Sequence, residues 1–170
     1  MKIENTGIIY FSKGGNTKKG VELLAEQLKI SHIFPLIENK KRKGLVGFVI
    51  NGYNASKKAS TKIDLSFLEH LNDITYIYLM TPIWAASSTP AVNSFLDSVD
   101  LTGKVVTIIT FQADPGVGSS GKAFAYLQSR IEKKGGKVDK TIALHGTSPG
   151  KYAGDKHIKT QIEKAVSQIK

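Results

Sequence analysis

The chain has 170 residues and a formal net charge of +10. This length suits one α/β domain, 1–170, able to bury a continuous core without staples. There is no cysteine, which excludes disulfides, thiolate metal sites and a cysteine nucleophile together.

Gly7 to Phe11 is an uninterrupted apolar run of the kind a buried first strand shows. It is too short for a signal-peptide core, and no stretch approaches the roughly 20 apolar residues of a membrane helix. The expectation is a cytoplasmic protein with no membrane span. Ser12-Lys13-Gly14-Gly15-Asn16-Thr17 follows the strand as a glycine-rich turn. Val21, Leu24, Ala25 and Leu28 then recur at helical spacing. His32 to Ile37 reads as a second strand. Between Asn39 and Ile63 lie Lys40, Lys41, Arg42, Lys43, Lys57, Lys58 and Lys62, with no acid. This basic stretch suits an anionic partner such as an acidic protein, or else a solvated surface. Its aromatics, Phe48 and Tyr53, are too few for a nucleic-acid stacking platform. Leu45 to Tyr53 is apolar but interrupted by glycines and receives no assignment.

Ile74 to Met80 is a strand rich in β-branched and aromatic residues, stopping at Thr81-Pro82. A helix opens with Thr89 as N-cap and Pro90 at its first position, burying Val92, Phe95, Leu96 and Val99. Lys104 to Phe111 is a fourth strand, and the glycine-rich loop Asp114 to Gly121 leads into a helix with Ala123, Phe124, Leu127 and Ile131 on one face. Gly135-Gly136 ends that helix. Lys137 to Leu144 is a fifth strand, and a last helix turns Ile158, Ile162, Val166 and Ile169 inward. Strands alternating with helices predict a doubly wound α/β fold, a three-layer five-stranded parallel sheet. Ligands in such sheets sit outside the carboxyl ends of the strands. That directs attention to the loops after strands one, three and four.

The first of these loops is suited to phosphate. The leading N–H groups of a helix have no internal partner, and the helix dipole favours an anion there. Glycines allow close wrapping, Ser12 and Thr17 offer hydroxyls, Asn16 an amide and Lys13 a charge. After the third strand, Thr81-Pro82-Ile83-Trp84-Ala85 carries the only tryptophan, placed where it can lie beside an aromatic ligand.

Three sharper-looking motifs fail on chemistry. Gly116 to Gly121 spells G-x-G-x-x-G, but Gln112 to Pro115 separate it from its strand and no acid ends the next one. As a phosphate-binding P-loop the same stretch has Ala123 where a magnesium-holding hydroxyl is needed. Gly146 to Gly150 spells G-x-S-x-G, but Pro149 has no N–H to give an oxyanion hole. His32, His70, His145 and His157 show no metal spacing.

A strand followed by S-x-x-G-N-T and an amphipathic helix resembles the FMN phosphate loop of the flavodoxins. The resemblance extends over nearly the whole chain, through Thr81-Pro82-Ile83-Trp84, Thr89-Pro90-Ala91, Phe95-Leu96 and Gly103-Lys104, and is weakest from Glu38 to Asp73. It implies the strand order 2-1-3-4-5, with FMN at the switch point. It further implies a cofactor site made of Ser12 to Thr17, Thr81 to Ala85, Phe111, Gln112 and Gly116. Backbone amides of the third loop would meet the pyrimidine edge of the flavin. The chain departs from the family at Gly14, where many flavodoxins have a hydroxyl residue, and in its basic charge. The function implied is electron transfer with a redox partner protein or a small-molecule acceptor. The alternatives are an NAD(P)H-dependent quinone reductase and a flavin-free binding module.

Overall fold

The computed structural model describes residues 3–39, 57–116, 118, 120–148 and 150–170. Five strands, β1 (Thr6–Tyr10), β2 (His32–Pro35), β3 (Tyr76–Pro82), β4 (Val105–Gln112) and β5 (Lys137–His145), form one sheet in the order β2-β1-β3-β4-β5. Every neighbouring pair is parallel. The order reverses between β1 and β3, which opens a crevice at their carboxyl ends. The fold is the flavodoxin-like one that the resemblance implied.

Among the described residues four helices cover the sheet: α1 (Asn16–Leu28), α2 (Pro90–Ser98), α3 (Ser120–Lys133) and α4 (Asp155–Ile169). Because alternate residues of a strand face opposite ways, β1, β3 and β4 each feed two cores. Ile8, Tyr78, Met80, Ile109 and Phe111 pack with Val21 and Leu24 of α1 and with Ile158 and Ile162 of α4. Ile9, Ile77, Leu79 and Ile108 pack with Phe95 and Leu96 of α2 and with Leu127 and Ile131 of α3. Strands buried on both faces lose their period-2 pattern, which is why they read as plain apolar runs.

Two boundaries differ from expectation where the ligand loops begin. β3 runs to Pro82, because Thr81 pairs with Thr110 and Pro82 with Phe111. Thr81 and Pro82 are therefore strand residues rather than loop. At the other end Ile74 closes a short 3-10 turn through its N–H to Leu71 O at 3.1 Å, so the strand starts two residues late. β4 likewise includes Gln112, paired with His145. Pro35 ends β2 at the sheet edge, where a missing N–H is tolerated.

Of the basic stretch, residues 40–56 lie outside the described residues, as does the reading of Leu45 to Tyr53. The part that follows is strapped to α2. Asn93 Nδ2 donates to Ala59 O at 2.9 Å, Thr61 N donates to Ser94 Oγ at 2.8 Å, and Ile63 bridges to Glu38. Lys58 Nζ sits 4.6 Å over the Tyr126 ring. Among the described residues no helix is long and apolar enough to cross a membrane.

Candidate functional site

The turn between β1 and α1 is held open toward solvent. Gly15 is the N-cap residue at φ 89°, a conformation that costs glycine little. A Cβ there would also meet the Tyr152 ring at 3.4 Å. Ser12 Oγ accepts the N–H of Lys18 at 3.1 Å, and the Lys19 N–H goes to Gly15 O at 2.9 Å. Among the described residues the N–H groups of Gly14, Gly15, Asn16 and Thr17 have no protein acceptor. Four such amides at the positive end of a helix form a cradle for an anion.

The Asn16 side chain does something the sequence did not indicate. Its Nδ2 donates to Lys151 O at 3.0 Å, and its Oδ1 accepts the Ala153 N–H at 2.9 Å. It thereby latches the β5–α4 loop against the cradle. Tyr152 covers Gly15, its hydroxyl donates to Asp155, and Lys19 Nζ lies 3.3 Å from that carboxylate. The Tyr152 hydroxyl is pushed up to about 12, chiefly by the bond to Asp155. Asp155 is held below its ordinary value by the same bond and then by Lys19. Beyond the discounted G-x-S-x-G stretch, nothing in the sequence marked this loop as part of the site. The signal available was an isolated tyrosine in a glycine-rich turn, and the loop's contacts with Gly15 and Asn16 span more than a hundred residues of the chain.

Trp84 forms the second part of the site. It is half-buried, its ring edge-on to Phe11 at 5.6 Å and 84°, with Lys13 Nζ 5.6 Å from its centroid. The indole thus joins the loop after β1 to the loop after β3. Trp84 and Ser87 exchange both backbone hydrogen bonds, at 3.1 and 2.9 Å, around Ala85 at φ 48° and Ala86 at φ 54°. Positive φ at both central residues defines a type I′ turn, which ordinarily takes Asn-Gly. Left-handed backbone costs an L-residue about 1–2 kcal/mol. Replacing Ala85 and Ala86 by Asn and Gly is expected to stabilise the protein by about 1 kcal/mol, read from the urea midpoint.

The remaining candidates divide by what they expose. Thr81 is buried, its Oγ1 3.2 Å from Thr89 Oγ1, while Pro82 and Ile83 are half-buried and Ile83 N donates to Phe111 O at 2.9 Å. Phe111 turns its ring away from the rim into the α1–α4 core, so only its backbone is available to a ligand. Gln112 is buried and its Oε1 accepts the Ser120 hydroxyl. Gly116 N donates to Asp114 Oδ1 at 2.9 Å, closing a small turn. Downstream of the discounted G-x-S-x-G stretch, His157 Nε2 is engaged with His145 O at 2.9 Å and Asp155 with Tyr152 and Lys19.

One recess of about 510 Å³ lies at the start of α4, lined by Ala153, Asp155 and His157, and one of about 390 Å³ lies between α2 and its strap. The amide cradle fits a phosphate, and the half-buried indole beside it fits a planar ring.

No family model matches this chain, and no curated protein matches it by sequence. Solved structures match it over nearly its full length. A candidate flavoprotein from Bacteroides uniformis has 23% identity and a TM-score of 0.70, covering 94% of this chain and 97% of that one. The Trp repressor binding protein of Bacillus subtilis has 12% identity and a TM-score of 0.68, covering 97% and 99%. A Lactobacillus acidophilus flavoprotein in complex with FMN has 17% identity and a TM-score of 0.64, covering 82% and 93%. These likenesses establish a flavodoxin-like fold.

Proposed function

We propose that this chain binds FMN and acts as a redox protein in electron transfer. The observation that carries the proposal is the cradle of four acceptor-less amides at the start of α1, beside the half-buried Trp84. The similarity in fold to a flavoprotein in complex with FMN supports it. Ser12 to Thr17 would hold the phosphate, Trp84 would stack on the ring, and the backbone from Phe111 to Gly116 would line its edge. Bound there, FMN supplies the ability to accept and pass on electrons. The chain positions it and tunes its potential.

The chain's sole tryptophan is at the site, so its fluorescence reports on that site alone. FMN is expected to quench it and to remain with the protein through desalting. Absence of both would overturn the proposal and leave a flavin-free binding module. The positive charge has a consequence as well. Lys13 Nζ beside the indole favours the added electron, so Lys13→Gln is expected to lower the reduction potential of the bound flavin. A unit charge is worth about 1 kcal/mol at 4 Å in water. Since tenfold in a one-electron equilibrium is about 59 mV, the shift should be a few tens of millivolts by potentiometry.

One observation favours the second reading, an NAD(P)H-dependent reductase of quinones. From Gln112 to Gly116 the loop after β4 has no aromatic side chain to cover the ring face that Trp84 leaves open. An open face can admit a second planar reactant. Bleaching of the bound flavin by NADPH alone would favour this reading. Bleaching only by a strong chemical reductant would favour the carrier.

A further inference from the structure

Lysines are used differently at the two ends of the sheet. Toward the amino ends of the strands they are turned onto carbonyls. Lys104 Nζ donates to Leu71 O and Ile74 O at 2.6 and 2.7 Å, Lys134 Nζ to Asp97 O at 2.7 Å, and Lys140 Nζ to Gln168 O at 2.6 Å. The last two cap the final turns of α2 and α4, where the helix dipole is negative. At the same end Arg130 Nη2 lies 2.5 Å from Asp97 Oδ1. These cations are engaged within the fold.

At the carboxyl ends the arrangement differs. Lys18, Lys122, Lys151 and Lys156 stand on the loops and first helical turns that follow β1, β4 and β5. All four are exposed, and among the described residues none of them makes an ion pair. The acids of these segments are Asp114 and Asp155, and Asp155 is already engaged by Tyr152 and Lys19. The described helices all start at this end, and their dipoles add to its positive potential.

The phosphate cradle accounts for only part of this charge. α1 and α4 lie on one face of the sheet and α3 on the other. Helices on opposite faces of a sheet stand about 20 Å apart, one layer spacing on each side. A phosphate at the start of α1 therefore does not reach Lys122 on α3. On that second side Lys58 adds to the charge, its Nζ 4.6 Å over the Tyr126 ring of α3. Trp84, half-buried, and Tyr152, 48% exposed, supply aromatic surface at the same end. Aromatic surface bordered by charge suits a protein partner.

We infer that the carboxyl end of the sheet is a docking surface for an acidic protein, whose carboxylates meet lysines on both faces of the sheet. This rests on the redox reading above, in which that protein is the electron-transfer partner of the same site. A patch of standard size, about 800 Å² on each partner, covers both faces, which a small anion does not. A protein seated there lies over the loops after β1 and β3, beside the position proposed for the flavin. Attraction between the two surfaces speeds encounter and fixes orientation.

The probe is oxidised plant-type ferredoxin, an acidic one-electron carrier, titrated calorimetrically into the FMN-loaded and the flavin-free protein. Both forms are expected to bind it. Binding should weaken at least tenfold between about 20 and 200 mM salt, because screening shortens the reach of surface charges. Lys122→Glu and Lys156→Glu, one on each face, should each weaken it about fivefold or more at low salt. Both place an acid in the first turn of a helix, which favours folding. Lys137→Glu changes the net charge equally at the far end of β5 and should alter binding less than about twofold. Equal losses from all three variants would make the effect one of net charge and overturn the inference, as would no binding at low salt. Duplex DNA that displaces ferredoxin and binds more tightly would make this a nucleic-acid surface, with the same consequence. If no FMN is retained, the FMN reading falls. Ferredoxin binding by the flavin-free protein that Lys122→Glu and Lys156→Glu weaken, and Lys137→Glu does not, would then still uphold the docking surface.

Discussion

Gly14→Asp is expected to weaken FMN at least thirtyfold while changing riboflavin less than threefold. Gly14 is exposed and has an ordinary backbone conformation. A Cβ built on it would lie 3.6 Å from Lys151 O, ordinary contact distance. The substitution therefore leaves the fold intact. It places a carboxylate beside the amides of residues 14–17, where it competes for the same donors and repels a phosphate. Unit charges 4 Å apart interact by about 1 kcal/mol in bulk water and about 4 kcal/mol near a protein surface. A phosphate with nearly two charges should then lose about 2 kcal/mol or more, which is about thirtyfold. Gly14→Thr carries the opposite sign. The same space accepts a hydroxyl, which adds a donor to the cradle, and FMN should tighten by about threefold to tenfold. Parallel titrations of both variants with FMN and riboflavin decide the matter. Equal losses for the two flavins would remove the phosphate from this loop.

The features legible in the sequence were those with a local cause. The turn from Ser12 to Thr17 stood out because glycines, hydroxyls and an amide gather between an apolar strand and a helix start, where anions bind. The strands stood out as apolar runs because both faces of this sheet are covered. That same burial hid the direction of Phe111. With Ile108 and Ile109 both buried, alternation gives no sign of which face a residue joins. Phe111 is expected at the ligand through its backbone, and its ring lies against α1. The latch from Asn16 to Lys151 and Ala153 was hidden for another reason. It depends on α1 and α4 lying side by side, a tertiary fact that local spacing does not encode. The strand order came from resemblance and not from spacing, since a parallel sheet can be wound in several orders with the same elements.

Gly20→Val is expected to destabilise the protein by about 3 kcal/mol or more, a large share of the roughly 5–15 kcal/mol available to a domain of this kind. Gly20 sits inside α1, where glycine by itself costs about 1 kcal/mol relative to alanine. Its presence is explained by the neighbour it faces. A Cβ at this position would stand 2.8 Å from two ring atoms of Phe111 and 3.3 Å from Ile162 Cδ1. Phe111 cannot give way easily. It is 2% exposed, and its carbonyl holds the Ile83 N–H at the rim. The close approach of α1 to β4 thus sets how the amide cradle stands relative to the loops after β3 and β4. Gly20→Ala should cost less, because its gain in helix propensity offsets part of the clash. A double-mutant cycle with Phe111→Leu separates clash from propensity. If the ring is the obstacle, Gly20→Ala in the Phe111→Leu background should become neutral or stabilising in urea unfolding. If the cost of Gly20→Ala is the same in both backgrounds, Phe111 is not what keeps this position glycine.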